Sequence, residues 1–427
     1  MQSELYPPFL AVTALSLAGL LRFPKAFIDL LRPRFVIPGL VWVSTAGNAI
    51  NYQPHGLTVI ASAYDEHAVM ALWFVAVCLA VFWIGYVTPI GKWIGEASPE
   101  LTFHWNTGAT SFFIATLFCA TLVLINPFVA GYFGPVGRII SRFSMACVFG
   151  GPAALGLYLG SNPRVGLMRM LFAVASIAVF TTPLMASFSR GTGLPLLVCF
   201  VSFSFARQRI RVVPAILCLA LAAYLGMMGL SGRGAAGGHY AGALAYLKYI
   251  AAHPIPSFSG ASSSGVLLHD SLTPLCVAME SREQQSTLTG TLSPRDWLLN
   301  QLPVPRSFGL PDWNVNLGKF VSGTTRTSWG YTMSSIGDLY LHFGSLGSIG
   351  FLFMGIFYRF VGTVTFRNNL QWQAHTVDWY SLLLLASYYA FVLGLYNTYR
   401  GWLTLCLYAL YALFGIFLVR LVLGGKS

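Results

Sequence analysis

Charged residues are scarce in this sequence of 427 amino acids: they make up 9% of the chain, whereas hydrophobic residues make up 56%. A soluble globular protein carries about 25% charged residues, which it needs to cover a water-facing surface. The shortage excludes an ordinary water-soluble enzyme, a disordered chain and a fibre. Because apolar runs long enough to cross a hydrocarbon core recur from end to end, the composition indicates a polytopic membrane protein.

Signatures of metal, redox and nucleotide chemistry are also missing. The seven cysteines form no CxxC pair and no zinc-type spacing, and all but Cys276 lie inside apolar runs. The sequence has no GxxxxGK[ST], GxSxG, HExxH or DxD. The net charge of +12 comes from bases at the ends of apolar runs, where they encode topology. We therefore predict no metal, no cofactor and no nucleic-acid partner.

The hydropathy pattern predicts an all-α polytopic integral membrane protein with about eleven transmembrane helices (10–12) and one long extracytoplasmic loop. Residues 1–231 form an amino-terminal bundle of about eight spans, 232–344 the long loop with short helices, and 345–427 about three further spans. The expected spans are 7–21, 35–51, 68–90, 108–131, 143–161, 170–187, 194–206, 212–231, 345–362, 379–396 and 401–419.

The basic residues orient these spans. With the amino terminus outside the cytoplasm, fourteen bases fall in inside segments and four in short outside segments. The bias predicts an amino terminus and a long loop outside the cytoplasm and a carboxyl terminus inside it. Long loops are usually functional, so the chemistry is expected in the long loop or beside it. Within that loop, the apolar stretch 240–252 predicts an interfacial helix.

Three arginines break the orientation bias: each stands at the outer end of a span and precedes a glycine, and they are Arg190, Arg233 and Arg400. Arginine offers a planar fork of donors that matches phosphate oxygens, and glycine lets the backbone approach closely. The alternative is interfacial snorkelling with glycine as a helix cap. As a set, they predict a pyrophosphate-facing cluster, with Arg190 the best single candidate.

One carboxylate stands in an apolar setting just before a span. Asp338 and His342 are four residues apart, so both point to one face of a helix. A carboxylate beside a histidine at a membrane interface can accept a proton. A helix cap or a structural hydrogen bond would explain the same pair. Asp65 and Glu66 are expected in a short loop, where solvation suffices.

The same region resembles a known family. LPVPR at 302–306, the stretch 323–330 and SIGDLYLHFGSLG at 335–347 are similar to the carboxyl-terminal signature of the Wzy-type oligosaccharide repeat unit polymerases (O-antigen polymerases), as is SRG at 189–191. The resemblance covers about residues 180–430. It departs at Asp338, where the family often has glutamate, and at 311–313, where PDW replaces an expected Lys-Pro.

The resemblance implies a metal-independent glycosyltransferase of the type-C membrane class at the outer face of a bacterial inner membrane. The donor is a growing glycan on undecaprenyl diphosphate, and the acceptor is a new lipid-linked repeat unit. Chain-length regulator and flippase proteins are implied partners. Asp338, or His342 oriented by it, would be the base, and the diphosphate ligands would be Arg190, Arg306 and Arg326, with Arg233 and Arg400 as further candidates.

Three alternatives stay open. An O-antigen ligase-like transferase would use the same donor and a different acceptor. A transporter or flippase for polysaccharide or lipid-linked sugars would be expected to carry charged residues in mid-span and inverted repeats, neither of which the sequence displays. A structural partner in a polysaccharide export complex is the third.

Overall fold

The computed structural model describes 3–21, 27–50, 58–99, 102–104, 151–153, 155–156, 159–160, 166–186, 190–207, 212–235, 242–256, 270–284, 334–367 and 376–396. The helices are α1 (Tyr6–Leu17), α2 (Phe27–Leu30), α3 (Pro33–Ser44), α4 (Ala46–Ile50), α5 (Thr58–Val87), α6 (Pro89–Ala97), α7 (Leu167–Ala186), α8 (Leu194–Arg207), α9 (Val212–Ala235), α10 (Ala243–Ala252), α11 (Leu272–Glu283), α12 (Ser335–Phe343), α13 (Ile349–Thr365) and α14 (Trp379–Tyr396). Short 3₁₀ helices cover Ser3–Leu5, Ala18–Leu21, Arg190–Gly193 and Gly344–Ser348.

Three helical segments of the described chain are long and apolar enough to cross a membrane: Ser3–Leu21, Ala61–Val87 and Ser335–Thr365. The chain is therefore compatible with a helical membrane protein. They correspond to the expected spans 7–21, 68–90 and 345–362, and all three begin earlier than expected. The shorter apolar helices include Met170–Ala186, Gly191–Ser204 and Ile216–Gly229, which fall on three further expected spans. The expected spans 108–131 and 401–419, and most of 143–161, lie outside the described residues.

The chain divides into two compact units that do not follow the three consecutive segments of the sequence prediction. Unit 1 comprises Met1–Ser98, Ser262–Arg367 and Ser387–Cys406, and unit 2 comprises Pro99–Ala261, Asn368–Ala386 and Leu407–Ser427. Unit 1 therefore joins the first helices of the chain to part of the long loop and to helices near the carboxyl terminus.

Helix α5 is the centre of unit 1. It packs against α1, α11 and α13, and Trp83 donates an indole hydrogen bond to the backbone oxygen of Leu15 at 2.8 Å. Another face is exposed and apolar, with Met70, Trp73, Val77 and Ile84 at helical spacing. A helix that is hydrophobic on all sides needs lipid or protein around it. The exposed stripe is the face that a bilayer would cover.

Glycines let α5 and α13 approach closely. A Cβ at Gly85 would overlap the backbone oxygen of Leu352, and a Cβ at Gly355 would overlap that of Phe82. Small residues at such crossings are typical of helix packing in membranes, where close backbone contact replaces the hydrophobic driving force. The crossing fixes the two longest apolar segments of unit 1 against each other.

We expect Gly85→Ala to lower the free energy of unfolding by about 2 kcal/mol, because the added methyl meets backbone that cannot move aside. Thermal unfolding of the purified protein in detergent measures the effect. The matched control is Gly39→Ala in α3, where a Cβ meets nothing within 4 Å. There the change should be neutral or stabilising by up to about 1 kcal/mol. Equal melting temperatures for the two variants would contradict this packing.

Unit 2 is built around α9. Gly193, in the turn before α8, packs so closely on α9 that a Cβ would overlap the backbone oxygen of Ala222. From α10, Tyr246 is fully buried and its hydroxyl donates to the backbone oxygen of Leu225 at 2.6 Å. Helix α10 confirms the short helix expected over 240–252. The strands β1 (Thr102–His104) and β2 (Thr376–Asp378) pair antiparallel, a small departure from the all-α prediction.

Three sequence expectations need correction. The expected span 35–51 is divided at Thr45 into α3 and α4, and α3 alone reaches only about 18 Å at 1.5 Å per residue. Asp65 and Glu66 lie within α5 rather than in a loop, although both are exposed. The long loop contains a helix that the sequence analysis did not predict, α11, which is buried from Leu272 to Ser281.

Candidate functional site

Helix α12 carries the predicted carboxylate and histidine, and its own sequence fixes both of its ends. The hydroxyl of Ser334 accepts a hydrogen bond from the backbone N–H of Gly337 at 3.2 Å, a typical N-cap. Gly344 ends the helix with a φ of 60°, in the left-handed region that favours glycine. Asp338 lies in the first turn, where a negative charge complements the helix dipole.

The structure places Asp338 and His342 on one face of α12, as the spacing predicts. His342 Nδ1 lies 2.9 Å from the backbone oxygen of Asp338 and 3.4 Å from its Oδ1. A carbonyl oxygen only accepts hydrogen bonds, so the shorter contact requires a proton on Nδ1. The ring is thereby held against the Asp338 carboxylate. The catalytic roles of both residues stay predictions.

The two side chains differ in access. The His342 side chain is 1% exposed, whereas that of Asp338 is 17% exposed. A group that takes a proton from a substrate must reach it within hydrogen-bond distance. Asp338 is therefore the better placed of the two to meet a substrate. His342 is buried beside the carboxylate and is better placed to orient it.

Helix α11 links the first turns of α5 to α12. The Asp270 carboxylate caps it by accepting from the backbone N–H groups of Leu272 at 2.9 Å and Thr273 at 3.0 Å. At its other end, exposed Arg282 donates from Nη1 to the backbone oxygen of Leu341 at 2.8 Å. A guanidinium group is thus held one residue from His342, beside the helix that carries the candidate pair.

A second polar cluster lies between α5 and α11. His67 Nε2 is 2.8 Å from Glu280 Oε2 and 3.3 Å from Glu283 Oε2, and the side chains of His67 and Glu280 are both buried. The side-chain amide of Gln284 donates to the other oxygen of Glu280. When Glu280 is ionised it only accepts, so His67 carries the shared proton on Nε2. The first residues of the candidate span Ala61–Val87 are therefore tied to the long loop.

The same cluster contains one set of atoms that a metal ion could share. One ligand atom each from Glu66, His67 and Glu280 lie within 4.8 Å of one another. Carboxylate and imidazole donors of this kind suit several divalent cations. Hydrogen bonding between His67 and Glu280 accounts for the contact without an ion. The sequence prediction of no metal stays a prediction.

Cys276 of α11 is the one cysteine that the sequence analysis left outside the apolar runs. It is fully buried. Burial raises the pKa of its thiol well above the ordinary value, and the nearby Asp270 charge raises the pKa further. The thiol is therefore protonated at neutral pH and is a poor nucleophile or metal ligand.

The structure describes the predicted arginines only in part. The backbone of Arg190 begins the 3₁₀ turn Arg190–Gly193 between α7 and α8, and that of Arg233 lies in the last turn of α9. Nothing is described of either side chain. Arg306, Arg326 and Arg400 lie outside the described residues. The proposed gathering of these five around one diphosphate stays a prediction.

His67, Glu280 and Arg282 were not among the site residues predicted from the sequence. Two local signals point to them. His67 follows two acidic residues at the start of an apolar run, and the sequence LTPLCVAM at 272–279 leads directly into the charged ESRE at 280–283. Both signals mark a change between apolar and charged residues, but neither predicts that His67 and Glu280 meet.

Comparison with known proteins leaves the chain without an assigned family: no family model, no curated protein and no solved structure matches it.

Proposed function

We propose that this protein polymerises lipid-linked oligosaccharide repeat units at the outer face of the bacterial inner membrane. The observation that carries the proposal is the pair on α12: a partly exposed carboxylate, Asp338, with Nδ1 of the buried His342 3.4 Å from its Oδ1, at one end of the candidate span Ser335–Thr365. A base at the end of a span can meet a sugar hydroxyl while the lipid of the substrate stays in the bilayer.

The reaction moves a glycan from undecaprenyl diphosphate to a new repeat unit. The acceptor hydroxyl oxygen attacks the anomeric carbon of the donor, the bond from that carbon to the diphosphate oxygen breaks, and the undecaprenyl diphosphate departs. Asp338 takes the hydroxyl proton. Arginines stabilise the charge that develops on the leaving group. The proposed ligands are Arg190, Arg306 and Arg326, with Arg233 and Arg400 as further candidates, and Arg282 joins them because it is exposed beside α12.

The proposed localisation follows the charge bias. The amino terminus and the long loop lie in the periplasm and the carboxyl terminus in the cytoplasm. The proposed partners are undecaprenyl-diphosphate-linked oligosaccharides, the bilayer, and the chain-length regulator and flippase proteins of the same polysaccharide biosynthesis. A type-C glycosyltransferase-like fold with about eleven spans belongs to the same proposal. The reaction needs no cofactor, since the donor already carries an activated leaving group.

A second candidate is a transporter or flippase for lipid-linked sugars, and one observation favours it. His67 lies within the candidate span Ala61–Val87 and is buried against Glu280. Ionisable residues inside membrane segments frequently mark proton or substrate pathways. An O-antigen ligase-like transferase would use the same donor and the same Asp338 chemistry.

Deleting the gene and measuring the lengths of surface glycan chains separates these candidates. A polymerase predicts surface glycan that carries single repeat units, with long chains restored by the wild-type gene. A flippase or a ligase predicts loss of the surface glycan altogether. A glycan unchanged in both length and amount would contradict all of these functions.

A further inference from the structure

A cavity of about 580 Å³ lies in unit 1 between the ends of α3, α5, α6 and α13. Its lining is mostly charged or small: Arg32, Pro33, Tyr86, Lys92, Glu96, Arg359, Gly362, Thr363, Phe366 and Arg367. Four cationic side chains and one carboxylate give it a formal excess of three positive charges. Asp29, which pairs with Arg32 at 2.8 Å from outside the lining, lowers the excess to two.

Three of the four cations already have partners that hold them in place. Arg32 also stacks over the Phe366 ring, with its guanidinium carbon 4.6 Å from the ring centroid. Lys92 pairs with Glu96 at 3.5 Å, and both side chains are half exposed. Arg367 donates to the backbone oxygens of Ser98 at 2.8 Å and Gly95 at 3.2 Å, which closes the carboxyl-terminal end of α6. The cavity wall is therefore preorganised.

Arg359, the fourth cation, has no such ion pair or guanidinium hydrogen bond among the described residues. Its guanidinium carbon lies 5.3 Å from the centroid of the Tyr86 ring, and its Nε is buried with no hydrogen-bond partner among the described residues. Leaving a buried N–H of a cation without an acceptor is costly. Gly91 holds this arrangement together, because α6 passes so near that a Cβ there would lie 2.9 Å from the Cβ of Arg359. Arg359 also lines the cavity and has no ion-pair partner among the described residues, so an anion in the cavity could pair with its guanidinium group.

The cavity lies near the end of α5 that carries Tyr86, whereas the His67–Glu280 pair lies near the start of that helix. His67 and Tyr86, on α5, are about 28 Å apart along the helix axis at 1.5 Å per residue. That separation is close to the thickness of a hydrocarbon core, about 30 Å. The charge bias assigns all four cations of the cavity to inside segments. With the His67–Glu280 pair at one membrane surface, the cavity would stand at the headgroup level of the other.

We propose that this cavity binds a phosphate group, held by Arg359, Arg32 and Lys92. A phosphate supplies several strong acceptors in a tetrahedral array, and arginine forks match that geometry. Basic pockets between membrane helices on the cytoplasmic side are suited to lipid headgroups. The phosphate can come from an anionic phospholipid or from a soluble phosphate compound, and the experiment separates the two.

The test uses the purified full chain in a maltoside detergent, which contains no phosphate, alone, with added phosphatidylglycerol, and with inorganic phosphate at constant ionic strength. Thermal unfolding reports binding, and native mass spectrometry reports retained lipid. A melting temperature raised only by phosphatidylglycerol supports a lipid headgroup, and one raised by inorganic phosphate supports a soluble ligand. Equal melting in all three conditions would overturn the proposal.

Variants connect the response to the cavity. Arg359→Gln and Lys92→Gln should each lower the affinity for the anion about fivefold, the equivalent of about 1 kcal/mol per cation near a membrane surface. The affinity is read from the ligand concentration that gives half of the full rise in melting temperature. Lys92 is half exposed, so its replacement leaves the fold intact even if Arg359→Gln unfolds the protein. The matched control is Arg207→Gln, an exposed arginine of α8 that is assigned to the same side but does not line the cavity. Variants that respond like the wild type would contradict the site.

Discussion

Asp338→Asn should abolish chain elongation, with a rate lower by a factor of about 10² to 10⁴, the contribution typical of a positioned general base. The amide has nearly the same shape, so α12 keeps its Ser334 cap and its packing, but it cannot take the proton of the acceptor hydroxyl. Elongation is measured as glycan length in a deletion strain that expresses the variant. Membrane insertion and protein amount are measured in the same cells.

Asp270→Asn is the matched control for that loss. Asp270 is a carboxylate of the same long loop and of the same unit, and it accepts hydrogen bonds from the first backbone N–H groups of α11. Because asparagine caps helices as well as aspartate does, Asp270→Asn should elongate normally. Full-length glycan from Asp338→Asn, or equal losses from both variants, would contradict the role of Asp338.

Replacing His342 tests whether it orients the Asp338 carboxylate, through the kcat, the KM and the pH profile of elongation. His342→Gln keeps a side-chain donor near the Asp338 backbone oxygen but removes the ring beside the carboxylate. It should lower kcat and shift the pH profile of elongation while KM changes little, because the substrate contacts remain. A changed KM with an unchanged pH profile would indicate a purely structural residue.

Glu280→Ala should lower the free energy of unfolding by about 3 kcal/mol, because it removes one partner of a buried pair. Glu280 is 7% exposed and accepts hydrogen bonds from both His67 and Gln284. Glu283 stays within 3.3 Å of His67, which keeps the expected loss at the lower end for buried pairs. Thermal or denaturant unfolding in detergent measures the difference.

Glu66→Ala is the control on the same cluster. Glu66 is exposed, so its replacement should change stability by no more than about 0.5 kcal/mol. Glu280→Gln keeps the volume and one acceptor and should fall between the two. Glu280→Ala at wild-type stability would show that the pair does not hold α11 against α5.

The sequence predicted those features of the site that depend on local spacing. Asp338 and His342 share a turn of one helix, so their contact follows from four-residue spacing and from the cap at Ser334. The contact of His67 with Glu280 joins residues 213 positions apart. No local pattern encodes such a pairing, and charges at the edge of an apolar run resemble a solvated loop.

The helices also divide into those that local sequence predicts and those that depend on contacts between distant residues. Hydropathy located the cores of α5, α13 and α14, because long apolar runs are a strong local signal. The hydropathy pattern placed the start of α5 too late, because the polar residues before Ala68 are typical of a loop. Their place in a helix depends on the contact of His67 with the distant Glu280. Helix α11 was missed because its burial comes from α5 and α12 rather than from its length or periodicity.

The most direct test of the proposed function is polymerisation by the purified protein in liposomes supplied only with undecaprenyl-diphosphate-linked repeat units. We expect a ladder of products that differ by one repeat unit, formed without nucleotide sugars, in the presence of a metal chelator, and absent with Asp338→Asn. Single repeat units that remain unjoined by a folded wild-type protein would contradict the polymerase proposal.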